Sequence, residues 1–186
     1  MTISRHTKSL NVTVFCGSSE IVAQKYIEVA ANLGEIIARK GFRLIYGGGY
    51  SGMMGAVAKS CLVNGGKVVS VIPKFLDSEK EPQDRGLTKI TCTSMFERKS
   101  KLIEIGDLFI ALPGGIGTID EIFEVLALKQ LEQSNKKVGI LNSNSYYDLM
   151  ILFLQKLKEE NFLYKDLQML FEVGETANEL LAKLVK

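Results

Sequence analysis

Short apolar runs that read as strands alternate along this chain with stretches of helical periodicity, and three of the strand-to-helix junctions are rich in glycine. The strand-like runs fall at 11–16, 42–46, 67–72, 87–93, 107–112 and 137–141. Helical patterns occupy 22–40, 52–64, 95–105, 118–133, 146–160 and 176–185, the last with Ala177, Leu180, Leu181 and Leu184 on one face. Residues 73–86 are polar and charged and read as an irregular connection. Strands separated by helices run in the same direction, so this order predicts a parallel sheet whose connections cross its faces. Every loop that follows a strand then emerges at one edge, where such folds take ligands. The loops at 17–19, 47–52 and 114–117 are thereby expected to form one site.

The expected architecture is a Rossmann-like, doubly wound, mostly parallel sheet with helices on both faces. Within it, Pro113-Gly114-Gly115-Ile116-Gly117-Thr118-Ile119-Asp120-Glu121 is the most informative junction. It follows the strand-like Leu108-Phe109-Ile110-Ala111-Leu112 and opens a helix carrying Ile122, Phe123, Val125, Leu126 and Leu128 at helical spacing. Glycines let the backbone approach a ligand, and the free N–H groups and positive dipole end of the helix suit an anion, most often a phosphate. Glu121 stands within the first expected turn, and two readings of it are open. Thr118-x-x-Glu121 fits a capping box, in which the glutamate serves only the helix. Alternatively, the carboxylate serves chemistry beside the phosphate. Asp120 either favours the helix dipole or faces solvent.

Gly47-x-Gly49-x-x-Gly52 satisfies a dinucleotide fingerprint, but it follows the second strand instead of the first. The next strand ends in Val71-Ile72-Pro73, without the acid that would hold a ribose. NAD is therefore disfavoured, which leaves a mononucleotide wall or a tight packing turn. Arg98 lies in the charged run Glu97-Arg98-Lys99-Ser100-Lys101 at the start of a helix. Such a run is usually a solvated face, yet cations there oppose the dipole unless an anion or carboxylate is near. Arginine also offers a planar fork suited to either partner.

Composition removes several alternatives. A net charge of +2 gives no field pointing to nucleic acid or an anionic membrane. No apolar run approaches the ~18 residues that would span a bilayer. Residues 1–10 are polar, lack the apolar core of a secretion signal and read as a frayed tail before a single domain at 11–186. Cys16, Cys61 and Cys92 have no metal-like spacing and read as buried free thiols, consistent with the cytoplasm. His6 is the sole histidine and sits in the tail, which argues against a Ser-His-Asp triad or a histidine metal site; no metal is expected.

Three motifs in order carry a family resemblance. Gly47-Gly48-Gly49-Tyr50-Ser51-Gly52-Met53-Met54-Gly55, Ser94-Met95-Phe96-Glu97-Arg98-Lys99 and the PGGIGTIDE stretch, with Cys16-Gly17-Ser18-Ser19 before them, resemble the Lonely Guy family of cytokinin-riboside 5′-monophosphate phosphoribohydrolases. The resemblance runs from about Asn11 to Glu160. It implies hydrolysis of the N-glycosidic bond of an adenosine 5′-monophosphate or its N6-substituted form, with no cofactor and in a homodimer. It implies Arg98 and Glu121 as catalytic residues. Gly114, Gly115, Gly117 and Thr118 would hold the 5′-phosphate, and Ser18, Gly48, Gly49, Met95, Lys99 and Glu81 would contact substrate, with Glu79 as the alternative to Glu81. Phe96 stands where the family has histidine, and Ala127-Leu128 where a Thr-Trp pair is common, so base preference is the property these departures touch. Family members have also carried the label lysine decarboxylase, but nothing in these residues points to pyridoxal chemistry. The rival from another class is a non-catalytic nucleotide-binding or carrier module on the same fold, which would need the glycines but no carboxylate beside the sugar. For a two-fold contact the expected patch is Phe123, Leu126, Ala127 and Gln130.

Overall fold

The strand and helix periods in the sequence are realised as seven strands and seven α-helices in a computed structural model that describes residues 9–77 and 85–185. In chain order these are β1 (Asn11–Phe15), α1 (Gln24–Arg39), β2 (Arg43–Tyr46), α2 (Gly52–Val63), β3 (Lys67–Pro73), β4 (Leu87–Cys92), α3 (Met95–Ile105), β5 (Leu108–Ala111), α4 (Ile116–Gln130), β6 (Lys137–Leu141), α5 (Asp148–Glu159), α6 (Leu167–Leu170), β7 (Glu172–Gly174) and α7 (Ala177–Leu184). The strands form one sheet in the order β4-β3-β2-β1-β5-β6-β7, and every pairing is parallel. Helices cover both faces, as expected. Leu33, Val57 and Leu180 of α1, α2 and α7 pack on one face with Val14 and Ile110. Leu102, Ile122, Leu154 and Leu170 of α3–α6 pack on the other with Ile45, Phe109 and Ile140.

A strand covered on both faces reads as a continuous apolar run. β5 is the clearest case, since Leu108, Phe109, Ile110 and Ala111 are all buried. β4 is an edge strand and is mostly polar and exposed, with Thr88, Lys89 and Thr91 facing outward. Gly34 lets α1 lie directly on α2: a Cβ there would sit 2.3 Å from the Val57 carbonyl oxygen. That contact fixes the helix that carries the 47–52 loop.

Two elements were not predicted. α6 is a single turn and β7 spans three residues, so neither is long enough to show a period; β7 exists through its ladder with Gly139–Leu141 of β6. Residues 74–76 of the expected irregular connection form a short 3-10 turn. Glu81, its alternative Glu79, His6 and most of the expected tail lie outside the described residues.

Candidate active site

The chain winds outward from β1 through β2 and β3 to β4, then crosses back to place β5 on the other side of β1. The loops after β1 and β5 therefore diverge at the point where the winding reverses, which opens a crevice at the carboxyl edge. A cleft of about 380 Å3 lies there. The three glycine-rich loops contribute Gly17 and Ser18, then Gly47, Gly48 and Gly49, and finally Gly115 and Gly117. Gly48 and Gly49 hold φ values of +78° and +83°, a region costly for residues with a Cβ, so glycine is required for this turn.

The two helix N-termini at the cleft are not equivalent. At α2 the N–H groups of Met53 and Met54 both donate to the Gly17 carbonyl. At α4 the N-cap is Gly115, no side chain caps it, and among the described residues Ile116, Gly117 and Thr118 find no acceptor for their N–H groups. Free N–H groups at the positive end of a helix dipole form an anion site. Gly114 packs behind this turn, where a Cβ would approach Thr118 Oγ1 to 2.1 Å.

Because α4 starts at Ile116, the capping-box reading of Glu121 fails. Thr118 is the third helical residue, not the cap, and Glu121 lies three residues further in, too far along to return to the cap N–H. Its carboxylate meets Arg98 instead: Arg98 Nη1 donates to Glu121 Oε1 at 2.6 Å, with both residues only 5% exposed. Arg98 Nε donates to the carbonyls of Gly47 and Val71, and Nη2 donates again to Gly47, each at 3.2 Å. The guanidinium is thus held by β3, the 47–52 loop and α4 together. Gly47 is obligatory beside it, since a Cβ there would fall 1.6 Å from Nη2. The dipole penalty expected for a cation early in α3 is met by a carboxylate of another helix. Burial raises the Glu121 carboxyl above the ordinary range, with Arg98 offsetting part of the rise. Cys16, in the same floor, is a thiol pushed far up, chiefly by burial and also by Glu121.

Ser18, Gly48, Gly49, Met95, Arg98, Gly115, Gly117, Thr118 and Glu121 all line the cleft. Gly114 and Lys99 are not among its lining residues. Lys99 Nζ lies 3.0 Å from Asp120 and 2.9 Å from Glu124, so it ties α3 to the outer face of α4. Asp120, expected to favour the dipole or face solvent, is half exposed and occupied by this pair. Gly17 and Gly47 line the cleft as members of the expected loops, whereas sequence reasoning did not select Cys16, Met54, Ile72 or Leu76, which also line it. Cys16 and Met54 lay inside quoted motifs, whereas Ile72 and Leu76 are apolar residues with no sequence mark of a ligand wall. The three cysteines are buried and free, as expected.

Residues 54–184 match the family described as possible lysine decarboxylase. Over 154 residues the chain is 42% identical to the cytokinin riboside 5′-monophosphate phosphoribohydrolase of Rhodococcoides fascians, covering 82% of this chain and 78% of that one. It is 36% identical over 173 residues to a protein of that same name from Arabidopsis thaliana, covering 93% and 76% of the two chains. Among solved structures, the molybdenum cofactor carrier protein of Chlamydomonas reinhardtii superposes with a TM-score of 0.70 at 19% identity, over 96% of this chain and 97% of that one. That last likeness is one of fold alone.

Proposed function

The chain belongs to the Lonely Guy family, and we infer from that membership that it hydrolyses the N-glycosidic bond of a nucleoside 5′-monophosphate, releasing the free base and ribose 5-phosphate. Its substrate class is that of its relatives, a cytokinin riboside 5′-monophosphate, in which the base is an N6-substituted adenine. The observation that supports the mechanism is the buried Arg98–Glu121 pair in the floor of a cleft that ends on uncapped helix N–H groups.

Breaking an N-glycosidic bond builds positive charge on the sugar. A carboxylate beneath the ring stabilises that charge and orients the attacking water, as in glycoside hydrolysis. Glu121 takes this role. Arg98 occupies Oε1, which leaves Oε2 for the sugar and the water. The 5′-phosphate lies on the N–H groups of Gly115, Gly117 and Thr118, anchoring the reacting bond above the acid. Gly114 supports that turn from behind. Ser18, Gly48 and Gly49 form the facing wall, and Met95 lies against the base. Lys99 acts through Asp120 and Glu124, holding α3 against α4.

A carrier on the same fold would need the glycine loops but not a buried carboxylate under the sugar position. A pyridoxal decarboxylase would need a Schiff-base lysine, and no lysine is among the described residues lining the cleft. We further propose that the chain acts as a homodimer, because Leu76, Met95, Phe96 and Ile116 leave an exposed apolar rim around the cleft. Among the described residues no helix is long and apolar enough to cross a membrane.

The direct test is chromatography after incubating the pure protein with AMP and with isopentenyl-AMP. Free base and ribose 5-phosphate should appear in equal amounts, faster from isopentenyl-AMP. Unchanged nucleotide bound to the protein would favour the carrier instead.

A further inference from the structure

Outside the cleft, Tyr146 and Tyr147 touch the Pro113–Gly115 turn from behind. The Tyr147 hydroxyl donates to the Leu112 carbonyl at 2.6 Å, and the Tyr146 hydroxyl donates to the Gly114 carbonyl at 2.7 Å. The carbonyl between them, that of Pro113, accepts from the Gly17 N–H at 3.1 Å. Three successive carbonyls are therefore tied down, those of Leu112 and Gly114 by tyrosines outside the cleft and that of Pro113 by the loop after β1.

A trans peptide is planar, so its C=O and the following N–H point in opposite directions. Holding the Gly114 oxygen behind the turn aims the Gly115 N–H the other way, and Gly115 lines the cleft. This matters because the peptide lies between two glycines, where backbone rotation meets little steric resistance. A side chain at 114 is excluded by Thr118, so the turn has no stiffness of its own to offer. Tyr146 supplies the missing restraint and is itself well held. Its ring meets Tyr26 edge-on at 5.5 Å and Tyr147 edge-on at 4.9 Å. The Asn142 side-chain oxygen accepts from the Tyr147 N–H at 2.7 Å, fixing the turn that delivers both rings.

We propose that Tyr146 is a positioning residue for the substrate 5′-phosphate, fixing the Gly114–Gly115 peptide so that the Gly115 N–H faces the anion. The proposal rests on the reading that the phosphate sits at the start of α4. Tyr146→Phe keeps the ring contacts and removes only the hydroxyl. KM for the nucleoside 5′-monophosphate should rise about 10-fold, the size of one hydrogen bond to an anion, with kcat within about two-fold. The kcat/KM for the corresponding nucleoside should not change. Equal losses on nucleotide and nucleoside, or no loss on either, would overturn the proposal. If the wild-type protein itself cleaves nucleoside and nucleotide alike, the phosphate reading fails first and takes this proposal with it. Should Tyr146→Phe not fold, titrating the wild type with ribose 5-phosphate decides the matter: the Gly115 amide must shift strongly, and an unmoved Gly115 signal at saturation sinks the idea.

Discussion

Glu121 combines two demands that oppose each other. It is buried, which favours the neutral acid, yet the proposed chemistry uses the carboxylate, which Arg98 helps to ionise. Because the net shift in the ligand-free protein is upward, the acid limb of kcat/KM should lie above the range in which an unperturbed glutamate titrates. The stability consequence has the same sign. The fold favours the protonated carboxyl, so its contribution is complete below the unfolded pKa and is lost as pH rises through the folded value. Glu121→Gln mimics the neutral acid and still offers Arg98 an oxygen. It should leave Tm at neutral pH unchanged or higher while turnover falls at least ~100-fold. Glu121→Ala leaves the buried guanidinium without its partner and should cost about 3 kcal/mol or more in addition to activity. Denaturant melts and rates on both variants check this; a Gln variant with near-normal turnover removes Glu121 from the chemistry.

Where a helix begins decides what its first polar residues do. Among the described residues, three stretches have a hydroxyl residue followed three positions later by glutamate. Ser94 and Thr176 are true N-caps, accepting from the N–H groups of Glu97 and Glu179 at 3.1 and 3.3 Å. Thr118 is not, because the N-cap of α4 is Gly115 and the helix begins at Ile116, three residues sooner than a cap at Thr118 would place it. That shift rotates Glu121 from the helix end to the flank that faces α3. The α1–α2 contact is a second element-level constraint. Gly34→Ala must push apart two backbones, and it should lower stability by about 2 kcal/mol, as overpacking does. Because α2 bears the 47–52 loop without donating free N–H groups to the cleft, kcat of the folded variant should stay near wild type. Equal denaturation midpoints for variant and wild type would show that the helices separate freely.

For the molecule as a whole, the unpaired apolar surface bears on assembly. Of the patch expected to pair two copies, Leu126 is only 6% exposed and packs in its own core, and Phe123 is half-buried against that core. Ala127 remains exposed, with Leu131 one turn on and also exposed. Leu149, Leu152 and Phe153 form a further exposed row on α5. A two-fold contact would bury such surface twice over. Ala127→Glu should weaken the dimer and the activity together if the interface shapes the cleft. Light scattering beside an assay at the same concentration tests it; a fully active monomer would disprove the linkage.

The sequence by itself determined the sheet and its helices, because a parallel sheet buried on both faces forces continuous apolar strands and periodic helices. It also determined that three glycine-rich loops share an edge, since that follows from strand direction alone. Local pattern did not determine the fate of Glu121 and Arg98. Each had a sound local explanation, a helix cap for one and a solvated face for the other, and neither explanation contains the partner. The two residues are 23 positions apart, on different helices, and they meet with the Gly47 and Val71 carbonyls only after the sheet has wound. β7, the apolar walls Ile72 and Leu76, and the tyrosines behind the phosphate turn were hidden for the same reason. Their roles depend on long-range neighbours, and those neighbours exist only once the tertiary fold has placed them.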